Sequence, residues 1–313
     1  MSIRSVSIVM LLLLAAPLPV RAETEEPDRE QDAAEPSGQH CVGAGSSRWV
    51  WHHMLLGQYA PWGLEHTGRA GYCTPFVRRP GMLWSMTHAE VGVVEILSPA
   101  YGNVGGYVQV APISPLVLRV EVTYMAYWPF PMDRAGYFSR SGYDDDVRPE
   151  VLPYEQADSA QGFNVNVVAV LRAKVDLGRV ALVVLNALTI SFWQMGDADY
   201  YVQPRYELVM ANADWALNNE AFLMVEIPLP RDTGLRVGLY DSLRYGIGSA
   251  HVNNNVGLVV MPSWEEAGRS VRGLAPFFRI GMYTDHDFRQ ADVTLYLGLL
   301  MSFDLNALRD HES

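Results

Sequence analysis

From about Trp84 onward, apolar and polar residues alternate in runs of nine to sixteen, interrupted by clusters of Gly, Pro, Asn and Asp. A period of two belongs to strands with one apolar face. The last run is the most regular: Val293, Leu295, Leu297, Leu299, Met301 and Phe303 are separated by Thr294, Tyr296, Gly298 and Ser302. The same pattern predicts strands near 85–97, 101–111, 115–128, 161–176, 179–194, 217–229, 234–246, 252–262, 274–286 and 291–303. That makes about ten, or twelve if 201–210 pairs as well. Hydrophobic residues form 49% of the chain, yet beyond residue 22 no apolar run approaches the roughly 20 residues of a membrane helix. Lipid offers no partner to an unpaired N–H or C=O, so the pattern predicts an all-β, transmembrane, antiparallel up-and-down β-barrel over residues 84–303. Strands of this length argue against a secreted β-sandwich, whose strands would run nearer 5 to 6 residues.

The residues ahead of that region divide by composition. Residues 1–22 carry Arg4, an apolar core from Val9 to Leu14 and a Val20-Arg21-Ala22 end, the pattern of a cleaved signal peptide. Residues 23–40, rich in Glu, Asp, Gln, Pro and Ser, predict a disordered acidic linker. Residues 41–83 crowd Trp49, Trp51, Trp62, Tyr59 and Tyr72 beside His52, His53 and His66 with a poor helical period, and are expected to form a short periplasmic extension. Residues 304–313 form a tail. Both cysteines lie ahead of the predicted barrel, and an oxidising periplasm permits a Cys41–Cys73 disulfide, with two free thiols as the alternative.

Loop lengths set the orientation. With the first strand rising from the periplasm, the inner turns fall at Ala111–Ser114, Asp176–Gly178, Pro230–Gly234 and 263–273, while 129–160 and 195–216 become long outer loops. Tyr124, Tyr127, Trp128, Phe130, Phe192, Trp193, Tyr200 and Tyr201 then fall where an aromatic girdle would meet the membrane interface. Alternation assigns Arg119, Glu121, Arg172, Lys174, Glu226, Arg236, Arg244, Arg279 and Asp292 to the lumen, with Thr123, Asn164 and Asn166. Opposed charges of both signs in a narrow interior are expected to pair. A net charge of -12 argues against nucleic acid, which needs a basic surface.

Near its end the chain resembles the assembly signal of Gram-negative outer-membrane β-barrels: Gly298, then Met301 three residues on and Phe303 two further. In that family the signal often closes the protein, whereas ten residues follow here. The resemblance spans roughly residues 84–303. It implies a cell outer-membrane location, a surrounding of outer-membrane lipid and insertion by the barrel-assembly machinery.

Four constellations could carry chemistry. Asp285-His286-Asp287 resembles the acid and histidine pairs of outer-membrane proteases, but adjacent strand residues face opposite ways. Asp144–Asp146 suits a solvated loop as readily as a cation. Ser249 and His251 share a face if extended, as a lipid hydrolase would need. His40, Cys41, His52, His53, His66 and Cys73 offer soft ligands without a recognised metal spacing. No enzyme and no cofactor are therefore expected. The favoured role is an anchor or scaffold for envelope partners docking on residues 41–83 and the outer loops. A narrow channel for ions or small solutes is the alternative, and an outer-membrane lipid hydrolase or protease is the third.

Overall fold

A computed structural model describes residues 47–59, 62–77, 83–230, 233–266 and 271–304. The expected signal peptide and linker, Cys41 and the residues beyond Asp304 lie outside these residues. Twelve strands close into a barrel: β1 (Arg48–Tyr59), β2 (Gly63–Pro75), β3 (His88–Ser98), β4 (Tyr101–Ile113), β5 (Leu116–Tyr127), β7 (Ala160–Asp176), β8 (Ala181–Met195), β11 (Ala213–Leu229), β12 (Thr233–Gly246), β13 (Val252–Glu266), β14 (Val271–His286) and β15 (Val293–Asp304). Three short strands, β6 (Ser139–Arg140), β9 (Tyr200–Gln203) and β10 (Leu208–Ala211), form a separate sheet from the two long loops. Every wall strand pairs antiparallel with its neighbours, and β1 closes on β15 with Trp51 opposite Phe303 and Leu55 opposite Leu299.

The ten strands anticipated from alternation all occur, within four residues at each end. The higher count of twelve is reached by a different route. Residues 201–210 form the β9–β10 hairpin outside the wall, and the two further staves come from the segment expected to hang in the periplasm. The corrected break near 263–273 shrinks because β13 runs to Glu266 and β14 starts at Val271. β1 escaped the period-two reading because both of its faces are apolar or aromatic: Trp49, Trp51 and Leu55 point out while Val50, Met54 and Leu56 point in. β2 escaped because glycines and small residues dilute its outer face, leaving only Leu64, His66 and Tyr72 with bulk there.

The wall is inside-out relative to a soluble protein. Val91, Val93, Val104, Val108, Leu239, Leu258 and Leu297 are all about half exposed or more on its outer face, an apolar band far larger than a soluble monomer presents. Trp49, Tyr72, Tyr59, Trp62 and Trp215 rim that band. The expected girdle is thus corrected in part: Tyr124 and Trp128 face out, whereas Tyr127, Trp193 and Tyr201 are buried inside, where they pack with the outer loops. Gly298 faces the lumen, while Met301 and Phe303 take the lipid face. A Cβ at Gly298 would fall 2.1 Å from the tip of the Phe277 ring, so glycine is what leaves room for that ring against the terminal strand.

Closure by β1 can be checked directly. Leu55→Cys with Leu299→Cys places two thiols at directly opposed positions on paired strands, within reach of a disulfide. Oxidation is expected to cross-link the folded barrel, detected as a mobility change after unfolding; no cross-link would contradict the closure.

Candidate functional site: a lumen beneath a hairpin lid

The chain termini of the described barrel, the turns 114–115 and 177–180, the end of β11 with the start of β12, and the end of β13 with the start of β14 share one end; loops 128–159 and 196–212 rise from the other. Both loops fold back over the mouth. The turn of the β9–β10 hairpin, residues 203–207, is grasped by wall side chains from around the ring. Arg205 Nη2 donates to Glu65 Oε1 of β2 at 2.8 Å, and the Tyr101 hydroxyl of β4 donates to Glu65 Oε2 at 2.6 Å. The Tyr127 hydroxyl of β5 donates to Gln203 at 3.3 Å, and Asn253 Nδ2 of β13 donates to the Tyr206 carbonyl at 3.1 Å. Trp193 of β8 packs edge-on against Tyr206 with ring centroids 5.7 Å apart.

Glu207 is the latch of this lid. Its carboxylate accepts from Arg134, meets Arg289 Nε at 3.2 Å, and accepts from the Tyr283 hydroxyl of β14 at 2.5 Å. Arg134 and Glu207 both sit at positive φ, 62° and 53°, a region that costs a non-glycine residue about 1–3 kcal/mol. The two strained residues are the two that bond to each other, so the ion pair offsets the backbone cost on both loops. Burial opposes ionisation of Glu207, but Arg134 and Arg289 outweigh it and hold the carboxyl below the usual range. His251 fastens the far side of the hairpin: its Nδ1 accepts from the Val209 N–H at 3.5 Å while Nε2 lies 3.9 Å from Asp287.

Beneath the lid lies a cavity of about 480 Å³, within the usual range of small-molecule sites. Its two sides differ. On the β2–β5 side, Arg69 and Arg119 meet Glu121 at 2.9 and 2.7 Å. On the other, Met224, Val259 and Met261 form an apolar patch with Phe222. The lining arginines are Arg69, Arg119, Arg134, Arg205, Arg244 and Arg279; the lining acids are Glu65, Glu121, Asp133 and Glu220. Six positive against four negative leaves a cationic interior.

The charges assigned to the lumen by alternation distribute as follows. Arg119, Glu121, Arg244 and Arg279 line the cavity. Lys174, Glu226 and Arg236 form a chain nearer the terminal end, with contacts of 2.5 and 2.6 Å, and Arg172 Nε donates to the Ser114 carbonyl at 2.9 Å. Asp292 is a correction: it ends the outer turn before β15, half exposed, 3.8 Å from Arg289. Its place in the alternating run was an accident of the turn. Glu65, Arg69, Arg205, Glu207 and Glu220 were not singled out from sequence; only the alternation of β11 could have found Glu220, since β2 and the lid lacked a legible period.

The other constellations are dispersed. The Ser249 oxygen accepts from the His251 backbone N–H at 3.3 Å rather than meeting the ring. His286 is buried beside Tyr283, with its Nδ1 accepting from the Phe288 N–H. Asp145 caps Ser141 and Asp146 pairs with Arg148 at 2.6 Å. His52 points in, while His53 and His66 bond at 2.9 Å on the outer face. Cys73 is disulfide-bonded, so its sulfur is not a thiolate ligand for the adjacent His88 and Glu90.

No protein-family model matches the chain, and no curated protein matches its sequence. Solved structures show a distant likeness. The β domain of the Bordetella autotransporter BrkA is 11% identical, covering 82% of this chain and 98% of that one with a TM-score of 0.41. The translocator domain of autotransporter NalP from Neisseria meningitidis is 11% identical over 82% and 88%, with a TM-score of 0.40. An outer-membrane channel from Pseudomonas putida F1 is 11% identical over 89% and 100%, with a TM-score of 0.39. The chain folds as a closed twelve-stranded β-barrel with an apolar outer face; what it does rests on its own residues.

The latch has a pH signature. Because the folded carboxyl of Glu207 titrates below its unfolded value of about 4.3, its contribution is present above that pH and is lost as pH falls through the folded value. Protection of 203–207 against hydrogen exchange, taken relative to the intrinsic rate at each pH, is expected to be high at neutral pH and to fall in acid as the carboxyl takes up its proton. Glu207→Gln, which leaves Arg134 and Arg289 buried without their carboxylate, is expected to cost lid docking about 3–5 kcal/mol and to raise that exchange at pH 7. Unchanged exchange in this variant would remove the latch.

Proposed function

We propose that the protein is a gated channel of the outer membrane, exported by a cleaved leader within residues 1–22 and inserted by the barrel-assembly machinery. It passes small solutes when the 203–207 turn leaves the mouth. The observation that carries this reading is the lumen cavity of about 480 Å³ beneath a lid held by ion pairs. A filled anchor has no use for either feature. A barrel of eight strands is packed solid and one of 16 to 18 leaves an open pore; twelve strands with a folded-in lid lie between.

The scaffold reading drew on a long segment ahead of the first strand, and residues 48–75 belong instead to the wall. The outer loops would still be available to envelope partners, but both are engaged in closing the mouth. The hydrolase reading rested on Ser249 and His251, and Ser249 serves the His251 main chain; the hydroxyl and imidazole that do meet are Ser302 Oγ and His52 Nδ1, 2.8 Å apart near the end that holds the chain termini. The cavity and its lid, rather than that pair, carry the assignment to transport.

Planar-bilayer recording of the wild-type protein and of Glu207→Gln tests the proposal. The wild type is expected to open rarely and the variant to stay open longer. In a salt gradient both should prefer anions, following the arginine excess of the lining. Silence from both proteins would contradict a channel.

A further inference from the structure

We infer that Arg244 and Arg279 form a binding site for a small monocarboxylate carrying an apolar body, a substrate class that deepens the channel reading and rests on it for its purpose. Most charged groups of the cavity are committed elsewhere. Glu121 holds Arg69 and Arg119, Glu65 holds Arg205, and Glu207 holds Arg134. Arg244 has no carboxylate within ion-pair distance among the described residues, and Arg279 has only Glu220, at 3.9 Å. The Nε atoms of both are buried without a hydrogen-bond partner among those residues. Two guanidinium groups against one carboxylate leave one positive charge, which a monocarboxylate neutralises. Keeping such a cation from water is costly without an anion, and guanidinium is the group best shaped to take a carboxylate through two N–H donors.

The surroundings choose the rest of the ligand. Arg279 lies between the rings of Tyr296 and Tyr240, 4.5 and 4.9 Å from their centroids, with Phe277 and Phe222 just beyond. Arg244 lies 5.8 Å over Tyr206 of the lid. These rings fix the guanidinium planes by cation–π attraction and continue into the patch of Met224, Val259 and Met261. A ligand bound by its carboxylate at the arginines therefore lays its other end on aromatic and thioether surface. Because Tyr206 belongs to the turn that closes the mouth, an occupied site also touches the lid.

Calorimetric titration of the full mature chain in phospholipid nanodiscs, with empty nanodiscs as blank, tests the site. The probe is 3-phenylpropionate, with 3-phenylpropanol lacking the charge and propionate lacking the apolar body. The acid is expected to bind saturably and both controls at least about tenfold more weakly. Arg279→Gln and Arg244→Gln are each expected to weaken the acid about tenfold or more, and Glu220→Gln to tighten it by freeing charge, a result that a misfolded barrel could not give. Absence of saturable binding to wild type, equal binding of the alcohol, or wild-type affinity in both arginine variants would overturn the site. Saturable binding in a protein that never conducts supports the site while overturning the channel; conduction without saturable binding does the reverse.

Discussion

Hydrocarbon gives no partner to a backbone N–H or C=O, so a strand that crosses a membrane must be paired along both edges. Here that requirement is met only because β1 joins β15, from Val50 opposite Asp304 to Tyr59 opposite Leu295. Everything else follows from the closed ladder. It fixes which side chains face lipid and which face the lumen, and it sets a circumference too wide for wall side chains alone to fill. The loops then take up part of the space at one end.

The lid shows how that space is closed without being packed solid. Its turn makes polar contacts to strands on opposite sides of the mouth, from Tyr127 on β5 to Tyr283 on β14. Two residues in strained conformations, Arg134 and Glu207, meet at the centre of these contacts. Strain balanced by a salt bridge suits an element with two positions, because losing the pair releases the strain. Polar contacts of this kind also re-form in water more readily than an apolar plug would, since their groups are solvated in the open state.

The strands from 88 to 304 were legible in the sequence because each sets an apolar lipid face against a smaller or more polar lumen face, as Leu295, Leu297 and Leu299 do against Tyr296 and Gly298. β1 and β2 were not, and the reason is physical. At the seam the lumen face carries Val50, Met54 and Leu56, so the contrast between faces vanishes, and β2 uses Gly68 and Ala70 where other strands use Val or Leu. The aromatics Tyr127, Trp193 and Tyr201 were misplaced for a related cause: an aromatic at a strand end serves a membrane girdle or a loop core equally well, and only the loops decide. Alternation gave the facing of Arg244 and Arg279. That Arg244 has no carboxylate within ion-pair distance among the described residues depends on which side chains the lid brings down, which no strand pattern encodes.

The central claim is that residues 203–207 close a path through the barrel. Cysteines at Tyr206 and Asn253, whose side-chain amide and main-chain carbonyl partners now hold lid to wall at 3.1 Å, can be tied by a short, cleavable bis-thiol cross-linker. Single-channel recording on the tethered protein should show no openings, and cleavage of the linker should restore them. Identical conductance before and after cleavage would mean that the turn is not the gate.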